Sequence, residues 1–257
     1  MATMIPSSDV VNWIIGPVGR CALYIGEETV NAGQLKRAIT SLAYQGPFLE
    51  LGRQHGKSKG LDVTGLDRII SEQQSNSLWA QERINGDHEL IHRNGIVALW
   101  AYVEVAIEDT AVLVLTKEPA SLALLTAAGI KLPTTISLPT MESDARRIYR
   151  RLEQHARSGV AVAEGYVQLM AILQISMPLP AKAIETFSEF NYVRNCFLHR
   201  GGIVDERAAV EAPTLGLPLG AMIRISSAKY DQYFDAAAEL TSALLKAVIE
   251  SRYIKTK

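Results

Sequence analysis

Cysteine is almost missing from this 257-residue chain: Cys21 and Cys196 stand far apart, too few for a disulfide framework and without the paired spacing of a metal cluster. Long apolar runs are missing as well. The longest uncharged stretch, residues 165–181, is 17 residues long, contains Gln168 and Gln174, and is interrupted by Pro178 and Pro180, which excludes a spanning helix. Charge of one sign is not in excess either, with 26 basic against 27 acidic residues and a net charge of -1. The molecule as a whole is therefore no electrostatic sponge for nucleic acid or anionic lipid, and any polyanion contact must be local. The opening MATMIPSSDVV lacks the basic head and apolar run of a signal peptide. These absences lead to the expectation of a chain in a reducing cytoplasm with no membrane partner.

What is present is ordinary globular material, 48% hydrophobic and 21% charged, enough to build a packed core without staples. At about 150 residues per domain the length corresponds to roughly 1.7 domains. Proline is poorly tolerated inside helices, and the ten prolines leave four long intervals free: 48–118, 140–177, 181–212 and 219–257. In the first, Ile96, Trp100, Val103, Ile107, Ala111 and Val114 repeat with a helical period, and a helix is expected over 95–116. The second reads as a basic helix over 143–157, a break at Ser158-Gly159, and a more buried helix over 162–176. The third opens on Pro180 and closes on Gly201-Gly202, the start and stop chemistry of a helix. In the fourth, Ser227 is the expected N-cap of an amphipathic helix carrying Tyr230, Tyr233, Ala237, Leu240, Leu244 and Ala247. Nearer the start, Ile14, Val18, Cys21 and Ile25 also fit a helical face despite Pro17. The expected fold is all-α, with a boundary at Ile84-Asn85-Gly86-Asp87 dividing a helical N-terminal region of unknown role, 1–85, from a helical bundle, 86–257.

One segment does not read as core: Phe190 to Gly202, with the sequence FNYVRNCFLHRGG. At about 100° per residue, Ile184, Phe187, Phe190, Val193, Phe197 and Leu198 share one half of the helix, and Arg194 falls in the middle of that half. An arginine there is costly unless something pairs with it. Asn195 and His199 follow one turn apart at the border of the same face, so guanidinium, amide and imidazole converge on one strip. Such a set suits a phosphodiester. Arginine neutralises charge on phosphoryl oxygens, histidine transfers protons near neutral pH, and asparagine orients either partner. The same spacing is also met by an arginine paired to a neighbouring carboxylate and a histidine that caps a helix.

The run Arg194-Asn195-Cys196-Phe197-Leu198-His199, ending a late helix before Gly201-Gly202-Ile203-Val204-Asp205, resembles the signature of the HEPN superfamily: an arginine, a polar neighbour, and a histidine four to six residues on. The resemblance spans about 86–257, from the long helix with Trp100 and Glu104 to the closing amphipathic helix. It implies a HEPN-like bundle with Arg194, Asn195 and His199 as the catalytic set of a metal-independent, cofactor-free endoribonuclease, cleaving RNA by 2'-hydroxyl attack to leave a 2',3'-cyclic phosphate. It further implies a homodimer with motif helices facing each other, a role as toxin or anti-phage defence effector, and an antitoxin or regulatory partner. Some members have lost cleavage and serve as modules that bind RNA, a nucleotide or a protein.

Two further features bear on that reading. Arg146, Arg147, Arg150, Arg151 and Arg157 stand against the single acid Glu153 over 146–157, with Tyr149 among them for stacking, a local RNA contact or equally a solvated face. Glu104 is a candidate auxiliary acid or partner for Arg194, or an ordinary surface carboxylate. The main rival motif is His88-Glu89-Leu90-Ile91-His92, which matches the H-E-x-x-H pattern of zinc hydrolases. Ala98 stands where a third histidine would be needed, and Asn94-Gly95 reads as a turn where a zinc-binding helix continues, so no metal is expected. Gly56-Lys57-Ser58 resembles the end of a phosphate-binding loop but lacks its first glycine, the place being held by Leu51.

Overall fold

The computed structural model describes residues 13–132 and 140–254. It is all-α: among the described residues there are nine α-helices, one short 3-10 turn at Pro213–Leu215, and a single isolated bridge between Ile203 and Met222 in place of any strand. The helices are α1 (Ile15–Ser58), α2 (Leu66–Asn85), α3 (Glu89–Lys117), α4 (Ser121–Ala127), α5 (Glu142–Ala156), α6 (Val162–Ile172), α7 (Ala181–Arg200), α8 (Ala208–Glu211) and α9 (Ser227–Ile249). No helix among them is long and apolar enough to cross a membrane.

Helix α3 is the axis of the bundle. Its Ile96, Leu99, Trp100, Val103, Ile107, Ala111 and Val114 are all buried, and α1, α5, α7 and α9 pack around it. It begins earlier than the sequence pattern indicates, and Asn94-Gly95 lies inside it rather than in a turn. The glycine serves close packing instead: a Cβ on Gly95 would fall 2.7 Å from Cε2 of Tyr230 on α9. Helix α7 ends where Gly201 and Gly202 take positive φ, as its stop signal indicates. The N-cap of α9 is Ser226, whose hydroxyl accepts from Lys229 N–H, not Ser227. Ser227 is held instead by Asp87, whose carboxylate accepts from its N–H and, at 2.7 Å, from its hydroxyl.

The N-terminal region is helical, but the expected division at 85/86 does not separate two cores. Ile14, Val18, Cys21 and Ile25 lie in the same buried cluster as Trp100, Tyr233 and Leu240, because the start of α1 packs against α3 and α9. Pro17 is accommodated in the first turn, where its missing N–H has no helical acceptor to lose. Beyond residue 32, α1 leaves the bundle and pairs with α2 as an arm. Small residues let the two helices approach: a Cβ on Gly46 would lie 3.0 Å from the Gln73 carbonyl. Ser77 of α2 fits into the helical ladder there, accepting from Gly46 N–H at 2.9 Å and donating to Leu42 O at 2.9 Å, one step before the interior Pro47.

Candidate active site at the end of helix α7

Helix α7 owes its orientation to an aromatic layer. Phe187 stacks on Trp100 with centroids 4.7 Å apart, and Phe190 lies between Trp100, edge-on, and Tyr233, stacked at 5.2 Å. A carboxylate the sequence reading did not single out fastens the same helix. Glu189 is buried and accepts from Lys229 Nζ at 2.8 Å, from Tyr233 Oη at 2.7 Å, and from Thr214 Oγ1. Burial pushes the Glu189 carboxyl up, but these donors outweigh it and hold it below the usual range. The signal for Glu189 lay in no local pattern, because its partners are 25 to 44 residues away.

The C-terminal end of α7 is clamped by Asp205. Tyr192 Oη donates to the Asp205 carboxylate at 3.0 Å and accepts from Asp205 N–H at 2.9 Å, while Arg200 pairs with the same carboxylate at 2.9 Å. The segment after the double glycine runs back beside residues 220–223 through Val204 N–H to Ala221 O and Ile223 N–H to Gly202 O. The last turn, which carries His199, is thereby fixed while its imidazole stays exposed.

Of the three motif side chains, Arg194 and Asn195 are joined, while His199 has no hydrogen bond to either among the described residues. Arg194 Nη1 donates to Asn195 Oδ1 at 2.8 Å, and Asn195 Nδ2 donates to Asn191 Oδ1 at 3.3 Å. The guanidinium carbon lies 5.7 Å from the centroid of the Trp100 ring, and Nη2 is 3.6 Å from Glu104 Oε2. The expense of an arginine on the core side is met by that cation–π contact, by the carboxylate, and by leaving the side chain 21% exposed. Its Nε is buried and has no partner among the described residues. Asn191 and Asn195 line a cleft of about 550 Å³ together with Arg157, Gly159 and Arg207. On the other flank of α7, Phe197 and Leu198 face Val97 and Ala101 of α3 across a shallower, apolar groove.

The arginine run divides. Arg146 is taken up by Glu108, Asp109 and Glu142 at 2.6, 3.2 and 3.0 Å, so it holds α5 to α3 and has no charge to spare for a polyanion. Arg147 pairs with Asp144, Arg151 donates to Lys131 O, and Arg150 is exposed with no ion pair among the described residues. Tyr149 is buried, and stacking on a base is closed to it. Arg157 pairs with Glu153 and lies over the ring of Tyr166.

The H-E-x-x-H segment is not presented as a zinc-binding turn of helix. His88 precedes α3 with φ 55, outside the helical region, so it does not share a helical face with His92. His92 is fully buried, stacked on Tyr230, with Nδ1 3.0 Å from Ile225 O. Burial lowers the proton affinity of His92. Among the described residues no three His, Cys, Asp or Glu side chains come together as a metal-holding group. No family model, curated protein or solved structure matches the chain.

Proposed function

We propose that the protein is a metal-independent endoribonuclease with its site at the end of α7. The observation that carries the reading is the hydrogen bond that joins Arg194 to Asn195, which lines a cleft of about 550 Å³, one helical turn before the exposed His199. His199, as general base, takes the proton of a ribose 2'-hydroxyl; the oxygen attacks the adjacent phosphorus, the bond to the 5'-oxygen breaks, and that oxygen is protonated from solvent. The products are a 2',3'-cyclic phosphate and a 5'-hydroxyl. Arg194 stabilises the charge that accumulates on the phosphoryl oxygens, and Asn195 holds the guanidinium in place. The resemblance to HEPN ribonucleases supports the same roles and implies a toxin or anti-phage setting with a regulatory partner.

The Arg194–Glu104 pair favours a second reading, a non-catalytic module binding RNA, nucleotide or protein, since the carboxylate competes with phosphate for the cation. One experiment separates the two. End-labelled RNA is incubated with the protein in excess EDTA beside the Arg194→Ala and His199→Ala variants. Cutting by the wild type alone, with cyclic phosphate ends, establishes the enzyme. Equal cutting by His199→Ala, or none by any of the three, refutes it and leaves the module.

A further inference from the structure

The hydrogen bonds that follow Arg194 along α7 run in one direction, and chemistry fixes that direction. A guanidinium carries donors and no acceptor, so Arg194 Nη1 meets Asn195 at the carbonyl oxygen Oδ1, 2.8 Å away. That orientation turns the Asn195 amide nitrogen to Asn191, whose Oδ1 accepts from it at 3.3 Å. The Asn191 amide nitrogen is then left over. It has no hydrogen-bond partner among the described residues, and Asn191 stands half-buried in the lining of the cleft of about 550 Å³.

The rest of that lining has the same polarity. Arg207 uses Nε on Asp205 and Arg157 uses Nη1 on Glu153, and the other guanidinium nitrogens of both make no hydrogen bond among the described residues. The one carboxylate in the lining among the described residues, Glu211, lies 3.7 Å from Arg207 and offsets only one of the two cations. Val210 lines the same cleft and is 84% exposed, an apolar surface open to a ring. The volume falls within the roughly 300–1,000 Å³ of small-molecule sites.

A space with surplus N–H groups and a net positive charge takes a ligand with an acceptor-rich edge and an anionic backbone. A nucleotide of single-stranded RNA has both. On their pairing edges guanine and uracil present a keto oxygen where adenine and cytosine present an amino group, so an amide N–H is met by the first two and opposed by the others. The bidentate grip by which asparagine holds adenine needs the amide oxygen as well, and in Asn191 that oxygen is engaged with Asn195.

We propose that this cleft seats one nucleotide of an RNA strand, with Asn191 Nδ2 on the keto oxygen of guanine or uracil and Arg207 on a phosphate. That the nucleotide neighbours the bond to be cut rests on the endoribonuclease reading, Asn195 lying one helical turn, about 6 Å, from His199. Asn191 is thereby a specificity-determining residue, joined through Asn195 to Arg194.

Binding and cutting are measured separately. Fluorescent RNA pentamers, all cytosine except for a varied central base, are titrated into the His199→Ala protein and followed by anisotropy. A central guanine or uracil should bind about tenfold tighter than adenine or cytosine. Adding Asn191→Asp keeps an oxygen for Asn195 and removes the N–H, so the preference should vanish; the ratio between bases is read, because the new charge weakens all four alike. Adding Arg207→Gln instead should weaken all four and leave the ratio in place. Equal binding of the four by His199→Ala, binding of none, a preference that survives Asn191→Asp, or full affinity in Arg207→Gln overturns the proposal. The wild type is incubated with the same pentamers. Cutting together with equal binding of the four retains the endoribonuclease reading and removes the nucleotide seat, whereas base-selective binding without cutting retains the seat and removes that reading.

Discussion

Glu189 and Gly95 show how much a single position on the bundle's axis decides. Removing the Glu189 carboxylate leaves Lys229, Tyr233 and Thr214 without their shared acceptor, so Glu189→Ala is expected to cost on the order of 3 kcal/mol, read from urea unfolding. An unchanged midpoint would show that the cluster does not hold α7. Gly95→Ala tests a second contact. Helix propensity alone would make the change favourable by about 1 kcal/mol, but the new methyl meets the Tyr230 ring, and a net loss of about 1–2 kcal/mol is expected from crowding. Stabilisation would mean that α9 yields. The motif itself was legible residue by residue: Arg194, Asn195 and His199 stand out because polar chemistry interrupts an apolar half-helix, and the structure brings the first two into hydrogen bond and sets the third at the open end of the same helix. Glu189 was illegible for the opposite reason. A lone acid on a helix declares its role only through partners distant in sequence.

At the scale of elements, α3, α7 and α9 follow from apolar periodicity and from end signals such as Gly201-Gly202, since each buries one continuous stripe. The length of α1 does not follow in that way. Its inner face changes partners along its course, from the bundle to α2, and its outer face mixes Leu23, Val30, Tyr44, Phe48 and Leu51 with polar residues, so no single stripe marks it as one 44-residue helix. Two further expectations belong to joints between elements. Ser77→Ala deprives Gly46 N–H and Leu42 O of their shared hydroxyl, and about 1–3 kcal/mol of arm stability should be lost, with faster amide exchange at Gly46; unchanged exchange would deny the insertion its role. The seat of α9 is sensitive to acid through His92. Burial keeps its native form from taking a proton that the unfolded chain accepts below about pH 6.5, so the unfolded state binds more protons there and stability falls as pH drops. Asp87 adds to the loss at lower pH, because Ser227 holds its carboxyl below the usual carboxylate range and that stabilisation disappears as the pH falls through the lowered value. Melting temperatures at pH 7.5 and 5.5 should differ less in His92→Gln than in the wild type.

For the whole molecule, the near balance of charge restricts any nucleic-acid contact to a face, and Arg147, Arg150 and Arg151 on α5 are the cations left for it once Arg146 is engaged with α3. Charge reversal at Arg147 and Arg151 together should weaken RNA binding and flatten its dependence on salt by about one to two units of log–log slope. Binding with an unchanged slope would return α5 to a solvated surface.

The course of α1 has a mechanical consequence. One continuous helix runs from the aromatic core, where Val18 and Ile25 are held by α3 and α9, to the tip of the arm at Ser58, with no linker between. Its length beyond Ala32, where it leaves the bundle, is about 39 Å, so a tilt of about 5° at the core becomes a displacement of roughly 3 Å at the tip. Ser77 and α2 stiffen the rod where Pro47 would otherwise weaken it. A force on the tip would therefore pass along α1 into α3, the helix whose Trp100 and Glu104 lie beside Arg194.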